Sequence, residues 1–194
     1  MNIHYRFTDT EIKKLLKENF VIICDSREQV NQHILDYFDK AKVKYKRQKI
    51  EEGDYSAIIT KCPELGIYRD LYFKVAFERK NSVDEIAGNL AEQTDTHDDI
   101  RFERELERAK HKGIMMFLLI EDKNAMEKIK VHDYRSQYSP QALMAKITSI
   151  QVKYLNDTIF EDKVNSGYEI LRKLKYAVRY FLKDGEFEIT KEIE

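Results

Sequence analysis

Apolar residues recur along the chain at spacings that switch between helix and strand. Ile12, Leu15 and Leu16 form one stripe within residues 8–20, where Thr8, Asp9 and Thr10 offer caps, so a short amphipathic helix is predicted. A continuous apolar run over 21–24 ends at Asp25, as expected of a buried strand. Val30, Ile34, Tyr37 and Phe38 return to helical spacing. Residues 43–50 read as a strand with Lys42, Lys44 and Lys46 on one face and Val43 and Tyr45 on the other. Gly53-Asp54 is a turn signal, predicting a hairpin whose second arm is 55–60. After a loop marked by Cys62-Pro63 and Gly66, residues 67–78 form a longer strand candidate.

The second half continues the alternation. Residues 81–90 and 98–111 read as helices, the latter closed by Gly113. The most apolar stretch, 114–120 (IMMFLLI), reads as a central strand, and 124–130 as a short helix. Ser139-Pro140 supplies a cap and a first-turn proline for a helix reaching Tyr154. A short strand at 158–160 precedes a closing helix over 163–182, with Val164, Tyr168, Leu171, Leu174, Val178 and Phe181 at three- and four-residue steps. Such an order implies an α/β protein with a mixed sheet covered by helices on both faces.

Composition narrows the class. The 194 residues, 42% hydrophobic, suffice for one domain with a real core and are too few for two large ones. No apolar run approaches the roughly 20 residues that span a bilayer, so no membrane partner is expected. The mixed, charged N-terminus does not read as a secretory signal. Cys24 and Cys62 make neither a disulfide framework nor a zinc spacing. A cytoplasmic setting is the expectation. A net charge of −1 argues against a wholly basic nucleic-acid binder, but leaves local basic fields open.

Acidic residues gather at predicted strand ends. Asp25 closes the first strand, Asp54 opens the arm after the turn, and Glu78 closes the next, followed by Arg79, Lys80 and, one helical turn on, Asp84. Carboxylates at the ends of neighbouring strands can converge on one point, which suits a hard divalent cation. Lys80 lies two residues after Glu78, on the same side of an extended segment, where an amine can orient water or neutralise developing charge. Taken singly, residues of these types are more often structural, as a turn aspartate and a surface ion-pair network. Glu28 fits either a supporting acid of such a site or a helix N-terminal acid.

Gly53-Asp54, Glu78-Arg79-Lys80 and Asp84 together give the pattern G-D-x(n)-E-R-K-x3-D, which resembles the signature of the ERCC4-domain nucleases, the XPF/MUS81 family. Cys24-Asp25-Ser26-Arg27-Glu28 upstream is similar to that family's first strand. Arg101-Phe102-Glu103-Arg104-Glu105 followed by Leu118-Leu119-Ile120-Glu121 is similar to its later helix and strand. The resemblance implies a restriction-endonuclease-like (PD-(D/E)XK) core over residues 21–160, with 1–20 as an N-terminal helical arm and 161–194 as a C-terminal helix packed on the domain. It implies a DNA endonuclease dependent on Mg²⁺, with Mn²⁺ as substitute, cutting branched, flap or junction DNA. Asp54 and Glu78 would be metal ligands and Asp25 would complete the acidic set. Lys80 would position water, and Arg79 and Asp84 would brace the site or contact phosphate. Arg27, Arg101 and Arg104 would be supporting DNA contacts.

Family members often carry a tandem helix-hairpin-helix module, and nothing in this sequence matches it. The chain looks closer to compact, stand-alone members of bacteria and their viruses. An accessory DNA-binding protein is therefore an expected partner, as is a second copy of the chain, paired through the apolar stripes of 141–154 and 163–182. The competing reading is a catalytically inactive DNA-binding or partner subunit, and the intact acidic and lysine set favours the enzyme over it. A restriction-like or junction-resolving nuclease of the same core is a third. Lys42, Lys44 and Lys46 could line DNA, but lysines on an edge strand also block aggregation, and the edge reading is preferred. The basic face of the last helix reads as a solvated one.

Overall fold

The computed structural model describes residues 7–90 and 97–185, the side chains of 97–101 excepted. These residues form two compact units. One takes the chain up to Ile50, Tyr55–Val75 and Gly167 onward; the other takes Glu51–Asp54 and Ala76–Ser166. Seven α-helices and seven strands are present among the described residues. No helix there is long and apolar enough to cross a membrane.

In the first unit, helix α1 (Asp9–Glu18) opens on a capping box: Thr8 accepts from the Glu11 N–H while Glu11 accepts from the Thr8 N–H. Ile12 and Leu15 are its buried stripe. Strand β1 (Phe20–Cys24) is buried at every position, because it has partners on both sides. Strand β2 (Tyr45–Arg47) runs parallel to it and strand β3 (Tyr55–Ile59) antiparallel. Helix α2 (Gln32–Lys40) makes the crossover that parallel pairing of β1 and β2 requires.

The predicted hairpin of 43–50 with 55–60 is therefore corrected: β1 lies between those two strands, pairing Ile22 with both Tyr45 and Ala57. The fully apolar β1 needs both neighbours to satisfy its backbone, whereas the half-buried β2 is content at an edge. Val30, placed in the α2 stripe, is 65% exposed and precedes the helix. The single strand expected over 67–78 is broken into β4 (Leu71–Tyr72), paired with β3, and β5 (Val75–Lys80).

Helix α7 (Ser166–Asp184) returns to the first unit, burying Ile170, Leu174, Val178, Phe181 and Leu182 and stacking Phe181 on Phe73. Val164 and Tyr168, read as part of that stripe, are exposed: Val164 falls in a short 3-10 turn before α7, and the buried face runs through Ile170 instead. Gly167 at its start faces Tyr37 so closely that a Cβ would come within 2.8 Å of the ring.

The second unit is built around β5 and β6 (Met115–Ile120), with β7 (Asp157–Phe160) parallel to β6. Ala76 of β5 and Met116, Leu118 and Ile120 of β6 share one face, at the alternation a strand imposes. Helices α3 (Val83–Leu90), α4 (His97–His111), α5 (Ala125–Lys130) and α6 (Pro140–Tyr154) pack apolar residues against that face. Gly113 ends α4 in the left-handed conformation and Ser139 caps α6, as their sequence positions predict. The chain is an α/β protein with a mixed sheet flanked by helices.

Candidate active site

The Glu-x-Lys pair lies on β5. Two residues apart on a strand, Glu78 and Lys80 project to one side, and the Lys80 Nζ donates to Glu78 Oε1 at 2.8 Å. Both side chains are buried. Burial pushes the Glu78 carboxyl above its ordinary range; Lys80 opposes the rise, and Glu105 and Glu85 add to it. For Lys80 burial works downward but is outweighed by Glu78, then Glu85 and Asp54, so the amine stays protonated, above its usual value. Phe102 of α4 sets its ring 4.4 Å from the Lys80 nitrogen, a cation–π contact.

Between its neighbours on β5, Arg79 turns to the other side. Its guanidinium pairs at 2.8 Å with the fully buried Glu121, which follows β6. The adjacent backbone is pinned as well, the Glu121 N–H donating to the Lys80 carbonyl. Arg79 thus braces the end of β5 on which Glu78 and Lys80 stand.

The Gly53-Asp54 turn has a steric cause. Gly53 adopts φ +87°, and a Cβ there would lie 2.8 Å from the Phe77 carbonyl oxygen. Only glycine lets this loop run against β5. The Asp54 N–H then donates to the Phe77 carbonyl at 2.6 Å, and the Asp54 carboxylate accepts from the Arg79 N–H at 2.8 Å. Asp54 is thereby locked beside Glu78. From the other side α4 holds the same loop: Glu105 accepts the Gly53 N–H, and Arg108 grips the buried Glu52 with two hydrogen bonds, joined by Lys112.

Other expected residues are engaged elsewhere. Asp25, in the first unit, is buried, and its carboxylate accepts from the Arg27 N–H, the Arg27 Nε and Nη2, and the Ile50 N–H. Burial works to raise its pKa, but these donors outweigh it and hold the carboxyl below the usual range. Arg27 in turn spans Asp25 and the Ile50 carbonyl. Asp84 is half-buried on α3 and takes hydrogen bonds from the Arg135 N–H and guanidinium, which lower its pKa. Arg104 is exposed on α4, while the Arg101 side chain lies outside the described residues.

Sequence reasoning passed over four contributors: Glu52, Glu105, Phe102 and Glu121. Three stood within stretches already noted as family-like, but spacing alone does not state that Glu105 meets the Gly53 N–H, Phe102 the Lys80 amine and Glu121 the Arg79 guanidinium.

As to a cation, the described residues offer no group of three or more His, Cys, Asp or Glu side chains able to hold a metal ion. Mg²⁺ does not need one: it takes one or two carboxylates and keeps several waters, unlike the all-protein cages that hold Ca²⁺. The oxygen donors Asp54 and Glu78, with the acidic Glu105 and Glu85 acting on Glu78, suit such an ion.

The ERCC4 domain family matches residues 24–164. No curated protein matches by sequence. Among solved structures, XPF from Aeropyrum pernix is similar, with a TM-score of 0.54 at 16% identity over 82% of this chain and 69% of that one. Its likeness shows the fold, which is the expected restriction-endonuclease-like one. Because the family match spans 141 of the 194 residues, the chain belongs to the ERCC4-domain family, whose nuclease signature its Gly-Asp and Glu-Arg-Lys motifs resemble.

Proposed function

We propose that the chain is a DNA endonuclease of the XPF/MUS81 type that hydrolyses phosphodiester bonds with Mg²⁺, Mn²⁺ serving as substitute. The observation that carries the reading is the buried Glu78–Lys80 pair, set on a braced strand with Asp54 locked beside it. In this reading Asp54 and Glu78 hold the ion. The chemistry such an ion would supply when bound there is Lewis-acid polarisation of the scissile phosphate and a lowered pKa of bound water. Lys80 aims its remaining N–H donors at the attacking water or at the charge developing on phosphate, and its ammonium persists because its acidic neighbours sustain it. Phe102 shields it from solvent, which strengthens each of these interactions. Arg79 acts as a positioning residue through Glu121, and Asp84 through Arg135.

Branched, flap or junction DNA as substrate, pairing with a second copy, an accessory DNA-binding protein and a bacterial cytoplasmic setting belong to the same reading. Family membership supports DNA as the substrate; the branched structure, the partners and the setting are expectations that go with it. Purified chain is assayed on labelled flap, fork, four-way junction, duplex and single-strand substrates with Mg²⁺, Mn²⁺ or EDTA. Metal-dependent cleavage that Glu78→Gln abolishes is the expected result. Binding without turnover on every substrate, in both metals, assigns the chain to the DNA-binding subunits instead.

A further inference from the structure

A groove of about 420 Å³ opens in the first unit, and five lysines line it: Lys13 and Lys17 of α1, Lys42 and Lys44 on the segment entering β2, and Lys175 of α7. No carboxylate among the described residues lines it. Among the described residues Lys13, Lys17 and Lys42 have no acidic partner; Lys44 donates to the Glu18 carbonyl, and Lys175 lies over the Phe20 ring. Leu16, Phe20 and Val43 give the groove an apolar lining. Five positive charges from three separate stretches of a chain whose net charge is −1 converge here. Lysines kept only to guard an edge strand or to complement helix C-termini have no reason to face one concavity. Lys42 even occupies the left-handed position after α2, with φ +54°, where glycine is usual.

We infer that this groove binds the phosphates of an unpaired DNA strand. The inference rests on the reading of the chain as a DNA-acting protein and adds a second binding surface to it. Charge complementarity selects a polyanion. The size of the concavity selects the form: a duplex, whose major groove alone is about 12 Å wide, cannot enter it, whereas a nucleotide of a single strand can. Basic residues along an apolar trough are the usual means of holding such a strand without reading its sequence.

The test is fluorescence anisotropy of a labelled oligothymidine and of a labelled duplex, with full chain, in EDTA over a range of salt. Two triple variants carry the same change in net charge: Lys13→Glu/Lys17→Glu/Lys42→Glu in the groove, and Lys61→Glu/Lys130→Glu/Lys163→Glu away from it. The groove variant is expected to lose single-strand affinity roughly tenfold or more. The slope of log affinity against log salt should become shallower by about two, since each phosphate no longer neutralised lowers it by roughly 0.7. The control variant should lose much less. Glutamine replacements at the three groove positions, with circular dichroism, guard against misfolding and should weaken binding in the same direction. Equal losses in the groove and control variants overturn the inference, as does unchanged binding in the groove variant. So does weakened binding to anionic vesicles with single-strand affinity intact, which assigns the groove to lipid. Because no cleavage is read, a groove effect in a chain that never cuts DNA sinks the nuclease reading and leaves this one standing.

Discussion

Lys80 donates to Glu78 across 2.8 Å, and the two side chains are only 9% and 8% exposed. A buried ion pair is a poor means of stabilising a fold, since apolar residues of similar volume serve as well. Its presence on β5 is explained by what each charge does there. Lys80→Met leaves Glu78 buried and facing Glu105 and Glu85 without its amine. We expect a loss of roughly 3–5 kcal/mol in urea unfolding. Cleavage should fall about 100- to 1,000-fold in single-turnover assays. The double variant Glu78→Gln/Lys80→Met should regain much of the stability and none of the turnover. Cleavage that returns with stability would make the pair structural.

Gly53→Ala tests the steric origin of the Gly-Asp motif. The added methyl would meet the Phe77 carbonyl at 2.8 Å, in a backbone conformation that L residues avoid. The conformation alone costs about 1–2 kcal/mol. Relief requires the loop to leave β5, which moves Asp54, and a displacement of about 1 Å near the chemistry costs roughly 100-fold in rate. Thermal melting and Mg²⁺-dependent cleavage measure the two effects. A variant that keeps full activity would show that Asp54 need not sit where the Phe77 carbonyl and the Arg79 N–H put it.

Asp25 makes a contribution of definite sign to the acid response of the first unit. Its folded pKa lies below the unfolded value, so its contribution to stability is present above the unfolded value and disappears as pH falls through the folded one. Asp25→Asn removes that contribution and deprives the donors on Arg27 and Ile50 of their charged acceptor, for an expected loss of about 1–3 kcal/mol at pH 7. The stability difference between wild type and variant should shrink as pH is lowered into the carboxylate range. Denaturant midpoints measured from pH 7 downward check this, and a constant difference would contradict it.

Cys24, buried within β1, has its thiol pushed up to about 12, chiefly by burial. Only the thiolate is nucleophilic, so folded protein should resist alkylation at this position at pH 8 and react once denatured. Peptide mapping after iodoacetamide treatment with and without urea reads the outcome directly.

Much of this was legible in the sequence because the relevant physics is local. The cap at Thr8, one of three candidates, the glycine after α4 and the serine before α6 are short-range signals, and the structure places them at those ends. Glu78 and Lys80 share a side because strands alternate. The errors arose where partners lie far apart in the chain. Tyr55–Ile59 follows the Gly-Asp turn, which suggested a hairpin, yet the buried β1 claims both neighbours. Asp84 finds Arg135, 51 positions away, and Glu105 finds Gly53, 52 away. No periodicity encodes such pairs.

Lys42 brings fold and binding into opposition at one residue. The Val43 N–H reaches the Phe38 carbonyl and the Lys42 N–H the Asp39 carbonyl, closing α2 with Lys42 at φ +54°. That conformation is unfavourable for any residue with a Cβ, so Lys42→Gly should stabilise the protein by up to about 1 kcal/mol. The same change removes one cation from the groove. It should weaken single-strand binding and make its salt dependence shallower by about 0.7 in slope. Melting temperature and anisotropy would then move in opposite senses. A rise in melting temperature with affinity intact would confine Lys42 to the helix end, and a fall in both would mean that its side chain supports the fold in a way the groove does not explain.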